Sequence, residues 1–481
     1  MATPIPSNRA SLDARTAAEA AEGRIVVASG GRIARGVTTD SRAVAPGCAF
    51  VALRGERHDG HEYVQAAIDA GAVLVIVESG RAPGGPNRAD VVEVADTLRA
   101  WGAIARAHLR AWRTANPSGR VAAITGSAGK TTTKELCAAI LRAIAPCHAT
   151  RGNLNNRVGV PAVVLQVELA TQFLVLEMGM SVPGELAALA AIAEPDVGAI
   201  TNIGLAHAGG VGGSIDDVAR EKGSLFEAVR PGGVAVANAD DAAVVRELRR
   251  APSARFVTFG SAEGSDYRLL GRQSLGADGS MVEIRRPAGT SLFRVPLAGY
   301  AAAIDFVAAL AIAEAAAALP LADEVVAAAL GTVSPIAGRM QLRRLQGDVL
   351  LVDDTYNASP AAMRAALATL AESGDRRRVA ILGEMKELGA SAPEQHESLG
   401  RVVADAGVSL LVSCGGLADV IARHAERCGV AVVLARDARE AGLLAVDRVR
   451  PGDAVLVKAS RSVGAERVVE ALVSALGEES G

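Results

Sequence analysis

Cysteine is scarce in this chain and sits in no recognisable pattern. The 481 residues include five, Cys48, Cys137, Cys147, Cys414 and Cys428, with no C-x-x-C pair among them. An odd, dispersed set argues against a disulfide framework or a thiolate-bound metal, and it fits a reducing, cytoplasmic setting. Excess positive charge is missing too. With 50 Lys+Arg against 53 Asp+Glu there is no broad basic field, so neither nucleic acid nor an anionic membrane is an expected partner. Short runs such as Arg376-Arg377-Arg378 read as solvated surface. Residues 1–23 lack an apolar signal core, and the alanine-rich stretch from Ala298 to Leu319 is interrupted by Asp305 and Glu314. That stretch reads as a buried or half-buried helix and not as a membrane span. No heptad pattern, low-complexity tract or short-period repeat stands out, which leaves a monomer as the expectation.

Half of the residues are apolar, and the length suggests roughly three units, each with its own core. Residues 1–97 read as a small α/β domain, with apolar runs at 48–53 and 73–77 around a helical pattern at 63–70. A connecting helix is expected from Asp96 to Arg113, and the loop signal Asn116-Pro117-Ser118-Gly119 precedes the strands of a second domain, 98–335. There, strand candidates at 121–125, 173–176, 197–201 and 234–237 alternate with helical patterns. Such alternation predicts a mostly parallel sheet with helices on both faces. Residues 253–297 turn β-like, with Asp278-Gly279 as a turn, and predict an antiparallel attachment. The third domain, 336–481, repeats the α/β rhythm with strands at 349–352, 379–382, 410–413, 431–434 and 454–457, a Rossmann-like outline. Its first strand runs into Asp353-Asp354-Thr355-Tyr356-Asn357 and not into G-x-G-x-x-G, which disfavours a nicotinamide cofactor.

The strongest chemical signal is Ile124-Thr125-Gly126-Ser127-Ala128-Gly129-Lys130-Thr131-Thr132, placed between a strand and an amphipathic helix. Glycines let backbone N–H groups close on a phosphate, the helix N-terminus is electropositive, and Lys130 adds a point charge. Thr131 is the expected Mg²⁺ ligand. The first glycine of G-x-x-x-x-G-K-[ST] is replaced by Ile124, so only G-x-x-G-K-T survives, and a glycine turn here is also the ordinary form of a tight connection. Three more polar residues fall at or beyond strand ends, where parallel sheets gather ligands. Alone, Glu177 reads equally as a helix cap, His207 as a core or loop histidine, and Lys222 as surface. Beside a phosphate loop, a carboxylate and an imidazole are what nucleotide-bound Mg²⁺ needs.

Taken in order, these motifs resemble the Mur ligases over nearly the whole chain. The resemblance rests on Thr39-Asp40-Ser41-Arg42, Gly55-Glu56-Arg57-His58-Asp59-Gly60-His61, the 125–132 loop, Gly152-Asn153-Leu154-Asn155-Asn156 and Glu177-Met178-Gly179. It continues through Asn202-Ile203, Ala206-His207, Lys222-Gly223, Gly338-Arg339, residues 353–360, Leu382-Gly383-Glu384-Met385, and Lys458 with Ser460-Arg461. It is nearest to the members that join D-alanyl-D-alanine to UDP-N-acetylmuramoyl-tripeptide with ATP, through an acyl phosphate.

The resemblance implies that the first domain binds the UDP-sugar, the second binds ATP and Mg²⁺, and the third closes over the nucleotide. Asp40, Ser41 and Arg42 are the expected uridine-nucleotide contacts; without the family they read as a turn with an exposed arginine. Gly126, Ser127, Ala128, Gly129, Lys130, Thr131 and Thr132 are expected around the ATP phosphates. Thr131 and Glu177 are the expected Mg²⁺ ligands, and His207 would hold a second Mg²⁺. Lys222 matches a carbamylated lysine of the family, an anionic metal ligand. Arg339 and Asp354 are expected on the nucleotide, although Asp354 reads equally as a cap for a helix starting near Pro360. Asn155 and Asn156 are expected on the peptide substrate, or else form a polar loop before Pro161. One stretch departs from the family's G-x-H-N-x-x-N: Gly299-Tyr300-Ala301-Ala302-Ala303-Ile304-Asp305 has alanines at two of the polar places and Asp305 at the third, where it can still accept from the adenine amine, and a helix N-cap is an equal reading of it. The rival readings are a ligase adding the third stem residue, a folate polyglutamate synthase, or a nucleotide-binding scaffold without catalysis.

Overall fold

The computed structural model describes residues 3–479 apart from 56–57, 85–87 and 252. Glu56 and Arg57 of the 55–61 motif therefore lie outside the described residues. Sheets follow one another along the chain. The first has five strands in the order Arg24–Val27, Asp90–Val94, Leu74–Glu78, Ala49–Val51, Val37–Thr38, parallel except for the pairing of Arg24–Val27 with Asp90–Val94. The helix Thr97–Ala115 then leads to the second unit, its N-terminus capped by Asp96, which accepts from Arg99 N.

The central sheet has nine strands. Six run parallel, from Cys147–Ala149 at one edge through Phe173–Glu177, Arg120–Thr125, Val197–Ile200 and Val234–Asn238 to Arg255–Gly260. Tyr267–Ser274 continues them, and Ser280–Arg286 and Gly289–Val295 complete an antiparallel extension. Side chains alternate across a strand, so Val121 and Ala123 enter one core while Ala122 and Ile124 enter the other. Burial on both faces explains why this strand reads as a continuous apolar run.

The alanine-rich helix, Tyr300–Ala317, shares the second core with the phosphate-loop helix Lys130–Arg142. Alanine has the highest helix propensity, and a helix apolar on every side must be covered. Among the described residues it is the one helix long and apolar enough to cross a membrane, and 67% of that window is buried. Its two acidic side chains explain themselves: Glu314 meets Arg286 and accepts from Tyr267 Oη at 2.6 Å, while Asp305 abuts the phosphate loop. Asp305 is a full turn inside the helix, whose N-cap is Gly299, so the N-cap reading fails.

The third sheet runs Gln341–Leu345, Val349–Asp354, Ala454–Lys458, Arg378–Leu382, Val408–Ser413, Ala431–Leu434, parallel apart from the first pair. The helix after Val349–Asp354 is Pro360–Ala371, and its N-cap is Ser359, which corrects the reading of Asp354 as the cap.

Candidate active site

The loop from Gly126 to Gly129 is pinned before it meets any ligand. Ser127 N donates to Asn202 O at 2.9 Å and Ala128 N to Asn202 Oδ1 at 2.8 Å, while Thr201 Oγ1 donates to Ala128 O at 2.6 Å. Those two amides are therefore spent on the neighbouring strand end. The first-turn amides of Lys130–Arg142 remain for an anion, since a helix leaves them without an internal partner. Two glycines are obligatory. A Cβ on Gly126 would stand 1.9 Å from Thr201 Oγ1, and one on Gly129 (φ +80) 2.2 Å from Asp305 Oδ1.

Lys130 is half-buried and folds back to donate to Gly126 O at 2.7 Å. Burial lowers its pKa and the positive charge of Arg339 lowers it further, while Glu177 opposes both. Thr131 Oγ1 donates to Glu177 Oε2 at 2.7 Å, and Asn155 Nδ2 donates to Glu177 Oε1 at 2.7 Å. Glu177 ends Phe173–Glu177 in register with Ile124, which puts its carboxylate beside the phosphate loop and refutes a helix-capping role. Among the described residues no group of three or more His, Cys, Asp or Glu forms a metal cluster. A hydroxyl and one buried carboxylate facing a phosphate cradle nevertheless fit Mg²⁺, which keeps waters and takes the rest of its shell from substrate phosphates.

Asn156 spends its Oδ1 on the amides of Val158 and Gly159, at 3.2 and 2.8 Å, ahead of the helix Gly159–Val164. Both asparagines also line the chamber described next. Lys222 is 1% exposed inside Ile215–Glu227, which overturns its surface reading. Burial first, then the charge of Lys130, hold its amine well below the ordinary lysine range. It forms no hydrogen bond or ion pair among the described residues.

One cavity of about 690 Å³ gathers residues 127–132, Glu177, Asn155, Asn156, His207, Asp305, Arg339 and Asp354. The central and third units thus share a chamber. Burial pushes the Asp305 carboxyl up to about 8, against the pull of Arg339. Asp354 lies on the wall with its carboxylate engaged: Lys458 Nζ pairs with Oδ2, and Met340 N donates to Oδ1 at 3.2 Å. It therefore holds the Gly338–Met340 turn that carries Arg339. His207, at φ +65, turns its Nδ1 to the Glu387 carboxylate across the cleft, and Gly209 N donates to Glu387 O at 3.2 Å. The imidazole lowers the Glu387 pKa.

Asp40, Ser41 and Arg42 do not line this chamber. Asp40 accepts from Arg42 N, Nε and Nη2 at 3.0, 2.9 and 2.7 Å in a short turn of the first unit. Sequence reasoning gave no separate role to Tyr356, Glu387, Lys386 or Arg461, which also line the chamber or a second cavity of about 340 Å³ next to it. The motifs around residues 353–360, 382–385 and 458–461 were the available signal.

Comparison with known proteins agrees across the chain. The Mur ligase family catalytic domain matches residues 34–109, the Mur ligase middle domain 124–313, and the Mur ligase glutamate ligase domain 338–461. The UDP-N-acetylmuramoyl-tripeptide–D-alanyl-D-alanine ligase of Synechocystis sp. is 34% identical over 91% of this chain and 92% of its own length. Among solved structures, MurF from Acinetobacter baumannii superposes with a TM-score of 0.85 at 30% identity, covering 98% of this chain and all of that one. MurF from Thermotoga maritima in complex with ADP gives 0.80 at 29%, covering 91% and 97%.

Proposed function

The chain belongs to the Mur ligase family, and from that premise we propose that it joins D-alanyl-D-alanine to UDP-N-acetylmuramoyl-tripeptide, consuming ATP and releasing ADP and phosphate. The observation that carries this reading is the shared chamber, with the phosphate-loop helix on one wall and Arg339 and Arg461 of the third unit on another.

A carboxylate does not form an amide at neutral pH, because its oxygen is a poor leaving group. Its oxygen therefore attacks the γ-phosphorus of ATP, the bond to the β-phosphate oxygen breaks, and an acyl phosphate and ADP result. Two anions must meet, and Lys130, the first-turn amides and Arg339 offset the charge. Thr131 and Glu177 would hold Mg²⁺, which when bound would supply further positive charge against the phosphates. His207, whose Nδ1 faces the Glu387 carboxylate, would hold a second ion. The dipeptide's ammonium first gives up a proton to solvent; the free amine then attacks the carbonyl, phosphate departs with the former carboxylate oxygen, and the nitrogen sheds its second proton. Docking of the third unit keeps water from the acyl phosphate.

The second cavity suits the dipeptide. Arg461, Glu387 and Lys386 line it, with Lys386 Nζ 2.6 Å from Glu384 Oε2, so both signs of charge stand where a zwitterion would present its carboxylate and ammonium. In the first unit, Asp40, Ser41 and Arg42 are assigned to the uridine nucleotide. Lys222 is assigned as a carbamate: burial disfavours its charged form, and the free amine would attack carbon dioxide, form an N–C bond and shed a proton. The resulting anion complements Lys130 and the metal. The five cysteines are all free thiols, in keeping with the cytoplasm.

Phosphate release by the purified protein with ATP, Mg²⁺ and UDP-N-acetylmuramoyl-tripeptide should depend on D-alanyl-D-alanine and give a product heavier by that dipeptide less water. Release only with a single amino acid and a shorter acceptor would move the protein to the preceding ligation, and ATP binding without release would favour the scaffold.

A further inference from the structure

Tyr356 is one of four tyrosines in 481 residues, and its ring carries two arginines from distant parts of the chain. Arg339 Cζ lies 3.8 Å from the ring centroid and Arg461 Cζ 4.9 Å from it. The backbone fixes the ring's place: Tyr356 N donates to Gly338 O at 2.9 Å, and Gly338 at φ +71 folds the turn that delivers Arg339. Arg461 begins the short turn after Ala454–Lys458. The Tyr356 hydroxyl forms no hydrogen bond among the described residues, so the faces of the ring are what this position uses.

The two guanidiniums face different tasks. Both line the main chamber, and Arg461 also lines the second cavity, beside Lys386 and Ser460. Held this close they repel, and the negative face of an aromatic ring offsets that repulsion while keeping each planar group in one orientation. We propose that Tyr356 is a positioning residue which aims Arg339 at the nucleotide phosphates and Arg461 at the dipeptide carboxylate, so that one ring sets both halves of the reaction. This rests on the ligase reading above.

The test compares Tyr356→Phe, Tyr356→Leu and Arg461→Lys with the wild type, varying each of the three substrates and recording melting temperatures. A ring without the hydroxyl should keep kcat/KM within about threefold. The leucine variant should raise KM about tenfold or more for ATP and for D-alanyl-D-alanine, with kcat/KM for the UDP-linked acceptor kept within about threefold. Arg461→Lys, which keeps the charge but not the planar stack, should raise KM for the dipeptide alone. A leucine variant within twofold of wild type would overturn the proposal. So would a phenylalanine variant as damaged as the leucine one, or an equal loss for all three substrates. Absence of dipeptide-dependent phosphate release by the wild type would instead remove the ligase reading, and the proposal with it.

Discussion

Lys130→Ala should cut ligation about a thousandfold while leaving the fold intact. The lysine is the one cation of the phosphate loop itself, with its Nζ 2.7 Å from Gly126 O and Glu177 close enough to pull its pKa upward. Charge develops on the transferring phosphoryl group, and a fixed donor in a water-poor chamber is worth about two to three powers of ten in rate. The first-turn amides survive the substitution, so ATP should still bind, more weakly. Lys130→Arg should not rescue, because a planar fork cannot replace a compact ammonium in a loop whose glycines are closed against Thr201 and Asp305. Single-turnover phosphate release, with ATP affinity measured separately, checks both points. Turnover within tenfold of wild type for Lys130→Ala would show that the loop does not stabilise the transferring group.

The second large effect is expected at Lys222. Its side chain is fully enclosed and forms no ion pair, so a plain ammonium there would be an unpaired buried charge, costing several kcal/mol. The proposed carbamylation would resolve that cost by turning the amine beside Lys130 into an anion. Lys222→Ala should therefore lose turnover by about a hundredfold or more, by analogy with loss of an electrostatic group from an active site. Acetate or formate at high concentration should restore part of it by filling the vacated space with a carboxylate. Lys222→Arg should show neither activity nor rescue, since arginine stays protonated and adds a second cation beside Lys130. Undiminished ligation by Lys222→Ala would refute the carbamate.

What could be read directly from the sequence was local. The strand, glycine loop and helix around Gly126–Thr132 are contiguous, and a run such as Phe173-Leu174-Val175-Leu176 ends visibly at Glu177. Strands buried on both faces announce themselves as apolar runs. Gln341–Leu345 does not: it is an edge strand carrying Arg343 and Arg344, and only its antiparallel partner Val349–Asp354 was legible. Arg24–Val27, Val37–Thr38 and Asp90–Val94 are similarly short or carry polar residues among the apolar ones. The arrangement of the third unit over the site depends on partners far apart in sequence. Asp354 meets Lys458 across 104 positions, and His207 meets Glu387 through backbone in the left-handed region at both residues. No spacing rule brings such pairs together, so Asp354 read as a cap although Ser359 caps that helix and the Asp354 carboxylate pairs with Lys458. The same limit hid Tyr356, whose role depends on arginines at 339 and 461.

The central claim is that ATP activates a carboxylate by γ-phosphoryl transfer in the chamber between the phosphate loop and the third unit. Ligation with an acceptor whose reacting carboxylate carries ¹⁸O tests it most directly. One labelled oxygen is expected in the released phosphate, with ADP as the nucleotide product and no label in it. Label in AMP, or unlabelled phosphate alongside full product, would contradict it.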